Sequence, residues 1–204
     1  MRHALRNHIE SSELMRATGE IDIIEYSNTV SNNIMALHTA PGCTIAGADQ
    51  TGTLVTNDCS VCRVALEARI WTNNAQAGDG YTGCGVTVTQ PNNIGLEFNT
   101  ASGGVYAMEW TSNSTRLWFF TRDQVPSSIS EADDIIGPDP TTFGTPEANF
   151  QGSCDIDSHF VNHQLVFDIT FCGSWAGNTW AGSGCPLLDP QNVSSTTPNP
   201  VWGC

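Results

Sequence analysis

The residues best suited to chemistry lie together in Glu20-Ile-Asp-Ile-Ile-Glu25, where Glu20, Asp22 and Glu25 share a stretch with three isoleucines. An apolar, β-branched run of this kind ordinarily becomes a buried strand. Carboxylates at this spacing repel one another, and desolvating them is expensive unless they are paired or protonated. An arrangement so unfavourable to stability points to function. Two carboxyl groups about 5 to 5.5 Å apart can break a glycosidic bond with retention of configuration. In that chemistry Glu20 attacks the anomeric carbon as nucleophile. Glu25 protonates the leaving oxygen, its proton held by the negative charge of its neighbours, and later serves as base towards water. Asp22, between them, orients Glu20 and helps keep the titrations apart.

A regular strand cannot deliver this. Side chains alternate, so Glu20 and Asp22 would occupy one face while Glu25 pointed into the apolar layer with Ile21 and Ile23. One extra residue bulged out between Asp22 and Glu25 reverses the parity and predicts all three acids on one face, with the isoleucines mainly on the core side. A solvated edge strand is the ordinary alternative for such a short acidic match.

Other patterns carry less. Cys59-Ser-Val-Cys62 and His159-Phe-Val-Asn-His163 imitate zinc-ligand pairs, but they lie too far apart for a finger. Gly78-Asp-Gly-Tyr-Thr-Gly83 matches a dinucleotide-loop pattern without the flanking strand and helix that give its glycines a purpose, and it reads as a turn. There is no nucleophile-elbow serine and no calcium loop. Neither a metal nor a cofactor is expected.

The elements that must position the acids read as short strands between turns. Gln164 to Phe171 alternates with period two, and Gly104–Trp110 with Thr115–Thr121 predicts a hairpin around Thr111-Ser-Asn-Ser114. Val30 to Thr39, Val86 to Thr89 and Gly95 to Phe98 are further expected strands, while Leu5 to Met15 and Val61 to Ile70 are weak helix candidates. Many short strands with Gly- and Asn-rich turns predict an all-β sandwich or jelly roll.

The chain has 204 residues, enough for one domain with a substantial core. Its formal charge is −14, and all seven basic residues are arginine. So few cations cannot track a phosphate backbone, which excludes nucleic acid as a partner, whereas a neutral polysaccharide meets no such repulsion. No stretch is long enough to span a bilayer. Eight cysteines in Gly/Asn/Thr-rich surroundings predict disulfides formed in an oxidising compartment, with their pairing open. The sequons Asn113-Ser-Thr115 and Asn192-Val-Ser194 agree with secretion, although Met1 to Glu10 lacks the apolar core of a signal peptide.

Gly19 to Glu25, followed by Leu37-His-Thr39 and Pro41-Gly-Cys43, resembles the catalytic region of family 16 glycoside hydrolases, in particular the fungal laminarinase-like endo-β-glucanases. The likeness continues through Gly83-Cys-Gly-Val86, Gly103 to Trp110, Leu117 to Phe120, Phe143-Gly-Thr-Pro146, Ala148-Asn-Phe150 and Thr170 to Gly177, in that order. The resemblance implies a concanavalin A-like β-jelly-roll sandwich with a glucan cleft on its concave sheet. It also implies retaining, endo-acting cleavage of β-1,3 or mixed β-1,3/1,4-glucan by a secreted monomer. It carries over the roles of Glu20, Asp22 and Glu25 and marks His38 for contact with sugar or with the acids, against a purely structural histidine. Trp175 would offer an aromatic face to a pyranose, whereas Trp110 and Trp118 are expected to pack in the core.

Residues 1–16 and the Pro/Ser/Thr-rich 187–204 do not match the family pattern. Residues 17–186 are therefore expected to form a partial domain lacking strands at both ends, interrupted by an unmatched segment from Val61 to Trp71. The rival reading is a glucan-binding jelly roll, or an inactive fragment, without turnover.

Overall fold

The computed structural model describes residues 18–61, 83–132, 135, 137–168, 176, 179, 182 and 183. Nine strands, three short α-helices and one 3-10 turn (Pro140–Thr142) are formed by these residues. β1 (Glu20–Glu25), β2 (Ile34–His38), β3 (Thr44–Ile45) and β4 (Thr53–Thr56) precede β5 (Cys84–Thr87) and α1 (Gly95–Thr100). Then come β6 (Gly104–Trp110), β7 (Thr115–Thr121), α2 (Ser127–Ser130), β8 (Ala148–Phe150), β9 (Gly152–Ser153) and α3 (Ile156–His159). All pairings between named strands are antiparallel, in a four-stranded sheet of order β1-β2-β5-β4, a three-stranded sheet β6-β7-β8 and a two-stranded ribbon β3-β9.

The principal core comprises Met35, Leu37 and Val86 from the first sheet with Leu117, Ala148 and Phe150 from the second, closed by Ile156 and Phe160. This packing of two antiparallel sheets is the jelly-roll sandwich the sequence predicted. β7 is buried on both faces: Leu117 joins the main core, while Trp118 and Phe120 join Phe143 in a second cluster beyond the hairpin. Trp118, only 2% exposed, donates its indole N–H to the Gly144 carbonyl at 3.0 Å, a core role as expected. Trp110 differs, being half-exposed with its ring edge-on to Phe160 and His163.

The hairpin has the expected bounds, and its register runs from Gly104↔Thr121 to Trp110↔Thr115. Thr111 Oγ1 accepts N–H bonds from Asn113 and Ser114 and closes the turn. Two disulfides, Cys43–Cys154 and Cys59–Cys84, lie among the described residues. The second removes Cys59 from the zinc-like pattern.

Two strand expectations fail. Gly95 to Phe98 lies in helix α1, because Ile94 and Phe98 meet the core four residues apart, with Phe98 against Tyr106 and Phe119; alternation was the wrong period. Residues 164–168 are not a strand either, and Phe167 is 90% exposed. Alternation makes a strand only where a neighbour accepts its backbone hydrogen bonds, and this segment pairs with none of the described strands. The expected helix from Leu5 to Met15, nearly all of that from Val61 to Ile70, and the 187–204 tail fall outside the described residues.

Candidate active site

The site is built on the β1–β2 pair. Glu20 lies opposite His38, Asp22 opposite Ala36 and Glu25 opposite Ile34. Three residue steps on β1 from Asp22 to Glu25 thus span two steps on β2 from Ala36 to Ile34, so β1 carries one extra residue. His38, Ala36 and Ile34 are alternate residues of an unbulged strand and share one face. Their partners Glu20, Asp22 and Glu25 therefore share it too, as the acid pattern required. On the opposite face Ile21 and Ile23 pack against the main core, but Ile24, at the bulge, is 51% exposed, so only two of the three isoleucines reach the core side. The floor beside the acids continues through Gly85, the β5 partner of Ala36, and neither residue brings more than a methyl group to it.

His38 Nε2 lies 3.0 Å from Asp22 Oδ2, with both side chains largely buried. Its placement depends on Gly83. At that glycine φ is +92°, and a Cβ would stand 2.4 Å from His38 Nδ1 and 2.5 Å from the Leu37 carbonyl oxygen. The imidazole lies against bare backbone, and no other residue type fits there without displacement. Gly19 acts similarly at the start of β1, where φ is +72° and a Cβ would meet the His159 carbonyl at 2.4 Å.

Crowding sets the proton affinities. Burial, reinforced by the Asp22 charge, pushes the Glu20 carboxyl from 4.5 up to about 7, with smaller upward contributions from a hydrogen bond with Asp22 and from Glu25. Burial and then the Asp22 charge likewise raise Glu25, while His38 opposes both shifts. Burial opposes the charged form of His38, but its bond to Asp22 and the surrounding acids outweigh that and raise its pKa. Asp22, Glu25 and His38 each bring one ligand atom within 4.8 Å of the others, the one such set among the described residues.

An open cleft of about 390 Å³ begins at Glu25 and is lined by Tyr26, Val30, Ile34 and Thr87 among others. Tyr26 and Val30 are both partly exposed, giving the cleft an aromatic and aliphatic wall. Tyr26 went unnoticed in the sequence, although its position directly after an acid facing the cleft was a usable signal. Trp175 lies outside the described residues.

The sequence also concealed the support of the bulge. Asn33 and Asn93 are both 0% exposed. The Glu25 N–H donates to Asn33 Oδ1 at 2.7 Å, and Asn33 Nδ2 donates to the Ile23 carbonyl at 2.8 Å. Asn33 is held in turn, its own N–H donating to Asn93 Oδ1 at 2.6 Å and its carbonyl accepting from Val88 N–H at 3.0 Å. Asn93 Nδ2 donates to the Gln90 carbonyl at 2.6 Å, and the Tyr106 hydroxyl donates to the Asn93 carbonyl.

Comparison with known proteins agrees with this geometry. A model of the XgeA-like catalytic domain of glycoside hydrolase family 16 matches residues 11–201. A protein of Neosartorya fischeri named a probable endo-1,3(4)-β-glucanase is 41% identical over 184 residues, 90% of this chain and 25% of that protein. An endo-1,3(4)-β-glucanase of Arthroderma benhamiae is 37% identical over 89% of this chain and 37% of its own length. Among solved structures, an elongating family 16 β-1,3-glucosyltransferase is similar with a TM-score of 0.69 at 45% identity, covering 84% of this chain and 51% of that one. Laminarinase 16A from Phanerochaete chrysosporium, solved with β-glucans in donor and acceptor sites, gives 0.66 at 38% identity, over 83% of this chain and 53% of its own. The chain thus spans about a quarter of the first of these relatives and about half of each solved structure. With the family model matched along most of its length and the acids on one sheet face, the chain belongs to glycoside hydrolase family 16, as an XgeA-like catalytic domain.

Proposed function

We propose that this chain is a retaining, endo-acting glycosidase of β-1,3 or mixed β-1,3/1,4-glucan. The observation that carries the reading is the shifted β1–β2 register, which gives Glu20, Asp22 and Glu25 a common face. Glu20 is assigned as nucleophile and Glu25 as acid and then base. Asp22 hydrogen-bonds to Glu20 and orients it; as an anion Glu20 attacks the anomeric carbon, and positive charge growing on the sugar ring favours that form. Attack expels the leaving oxygen, which takes the Glu25 proton. Esterification of Glu20 removes its negative charge from the cluster, so Glu25, having given its proton to the leaving oxygen, stays a carboxylate; it then draws a proton from water, which attacks the anomeric carbon and releases Glu20. His38 holds Asp22 in place and moderates its charge. Tyr26 offers its face to a sugar unit beside Glu25, and Trp175 keeps its assignment as a second platform.

Attack on the glucosyl-enzyme by a sugar hydroxyl instead of water gives transglycosylation with the same residues, a variant favoured by similarity to the elongating glucosyltransferase. The disulfides and the family support action outside the cell on a polysaccharide, and the chain is assigned as a monomer. The test is incubation of the chain with laminarin. New reducing ends are expected, in the β configuration when first formed as followed by proton NMR, and none from Glu20→Gln. Folded protein that binds laminarin without releasing ends, or activity that persists in Glu20→Gln, would overturn the reading.

A further inference from the structure

A β-bulge leaves backbone groups without ladder partners, and buried backbone groups without partners are costly. Here the two groups flanking the extra residue, the Ile23 carbonyl and the Glu25 N–H, both bond to the side chain of one residue, Asn33. Its amide presents one acceptor and one donor in a single plane, as a peptide unit of a neighbouring strand would. Asn33 is fully buried and cannot exchange these bonds for water. Asn93 fixes its backbone from behind and is itself anchored to Gln90 and Tyr106.

We infer that Asn33 is a positioning residue for the reaction: its side-chain amide replaces the missing peptide partner at the bulge and thereby sets where Glu25 stands relative to Glu20. The inference rests on the proposed glycosidase reading for its catalytic consequence, though not for the clamp itself. Serine or alanine would leave one or both backbone groups unpartnered. Aspartate keeps the acceptor for Glu25 N–H but turns an oxygen towards the Ile23 carbonyl, so the bulge loses one of its two ties.

Asn33→Ala and the isosteric Asn33→Asp are measured beside Phe143→Leu, which weakens the second core far from the site. In either Asn33 variant kcat on laminarin is expected to fall by about 10- to 100-fold, the scale of an ångström-sized misplacement, with KM changing far less. Phe143→Leu loses stability while keeping kcat at temperatures where it is folded. Hydrogen exchange followed by NMR should show the Glu25 amide exchanging at least about tenfold faster in Asn33→Ala, with the amides of the β6–β7 hairpin unchanged. If Asn33→Ala does not fold, Asn33→Asp carries the same kinetic readouts. If the unsubstituted chain shows no glucanase activity, the functional reading fails, and Glu25 amide exchange with carbon-13 titration of the Glu20 and Glu25 carboxyls decides the clamp. Folded variants with unchanged kcat, Glu25 protection and titration would overturn the proposal.

Discussion

Among single residues, Glu20 shows how the site opposes the fold. Its carboxyl is raised to about 7 against an unfolded value near 4.5, so the folded state binds the proton more tightly. The stability this gives is complete below pH 4.5 and is lost as pH rises through about 7. Glu25 and His38 are raised as well and act in the same direction. Glu20→Gln is neutral throughout and escapes this loss. Allowing for the solvent that still reaches Glu20, its melting temperature at pH 8 should exceed that of the unsubstituted chain by about 2 to 6 °C, with little gain at pH 4.5. Calorimetry at the two pH values checks this; parallel curves would mean that Glu20 carries no such charge penalty. The carboxyls were legible in the sequence because their polarity contradicted their surroundings. Asn33 was not, since an asparagine just before a strand reads as a turn residue, and only the register shows its amide reaching both sides of the bulge.

Between elements, the site depends on how β2 and the entry to β5 meet. Gly83 has a positive φ and leaves no room for a Cβ beside His38. Gly83→Ala should destabilise the fold by about 1 to 3 kcal/mol and push the imidazole away from Asp22. Freed from that bond, His38 loses the main influence raising its pKa, which should fall in an NMR titration; a titration curve unchanged from the parent would refute the packing argument. The bulge itself was predictable, because one inserted residue was the sole way to keep all three acids on one strand face. The Gly95 to Phe98 misreading arose because Leu96 and Phe98 fit period two as well as Ile94 and Phe98 fit a helical turn, and the Phe98 contacts with Tyr106 and Phe119 decide between them. The 164–168 segment has a strand's alternation but pairs with none of the described strands, a fact that only the sheet topology reveals.

For the molecule as a whole, the cysteines supply what the sequence could announce but not arrange. Composition pointed to disulfides, yet pairing depends on which loops the sandwich brings together. Cys43–Cys154 closes 111 residues and Cys59–Cys84 closes 25. On loop-closure entropy, losing the first should cost about 4 to 5 kcal/mol and the second about 3.5. Urea unfolding midpoints of the Cys43→Ser/Cys154→Ser and Cys59→Ser/Cys84→Ser pairs test the order, and a larger loss from the shorter loop would defeat the entropic account. The jelly-roll class was readable because short strands, Gly/Asn turns and the order of the family-like blocks agreed with one another.

The Cys59–Cys84 bond has one more consequence. It rivets Cys59 to the residue where β5 begins, the same strand that flanks β2 beneath the acids. The two ends of the intervening stretch are thereby held together by a covalent bond. A pull arriving along the chain from that stretch meets this tie before it reaches the sheet that carries Glu20, Asp22 and Glu25.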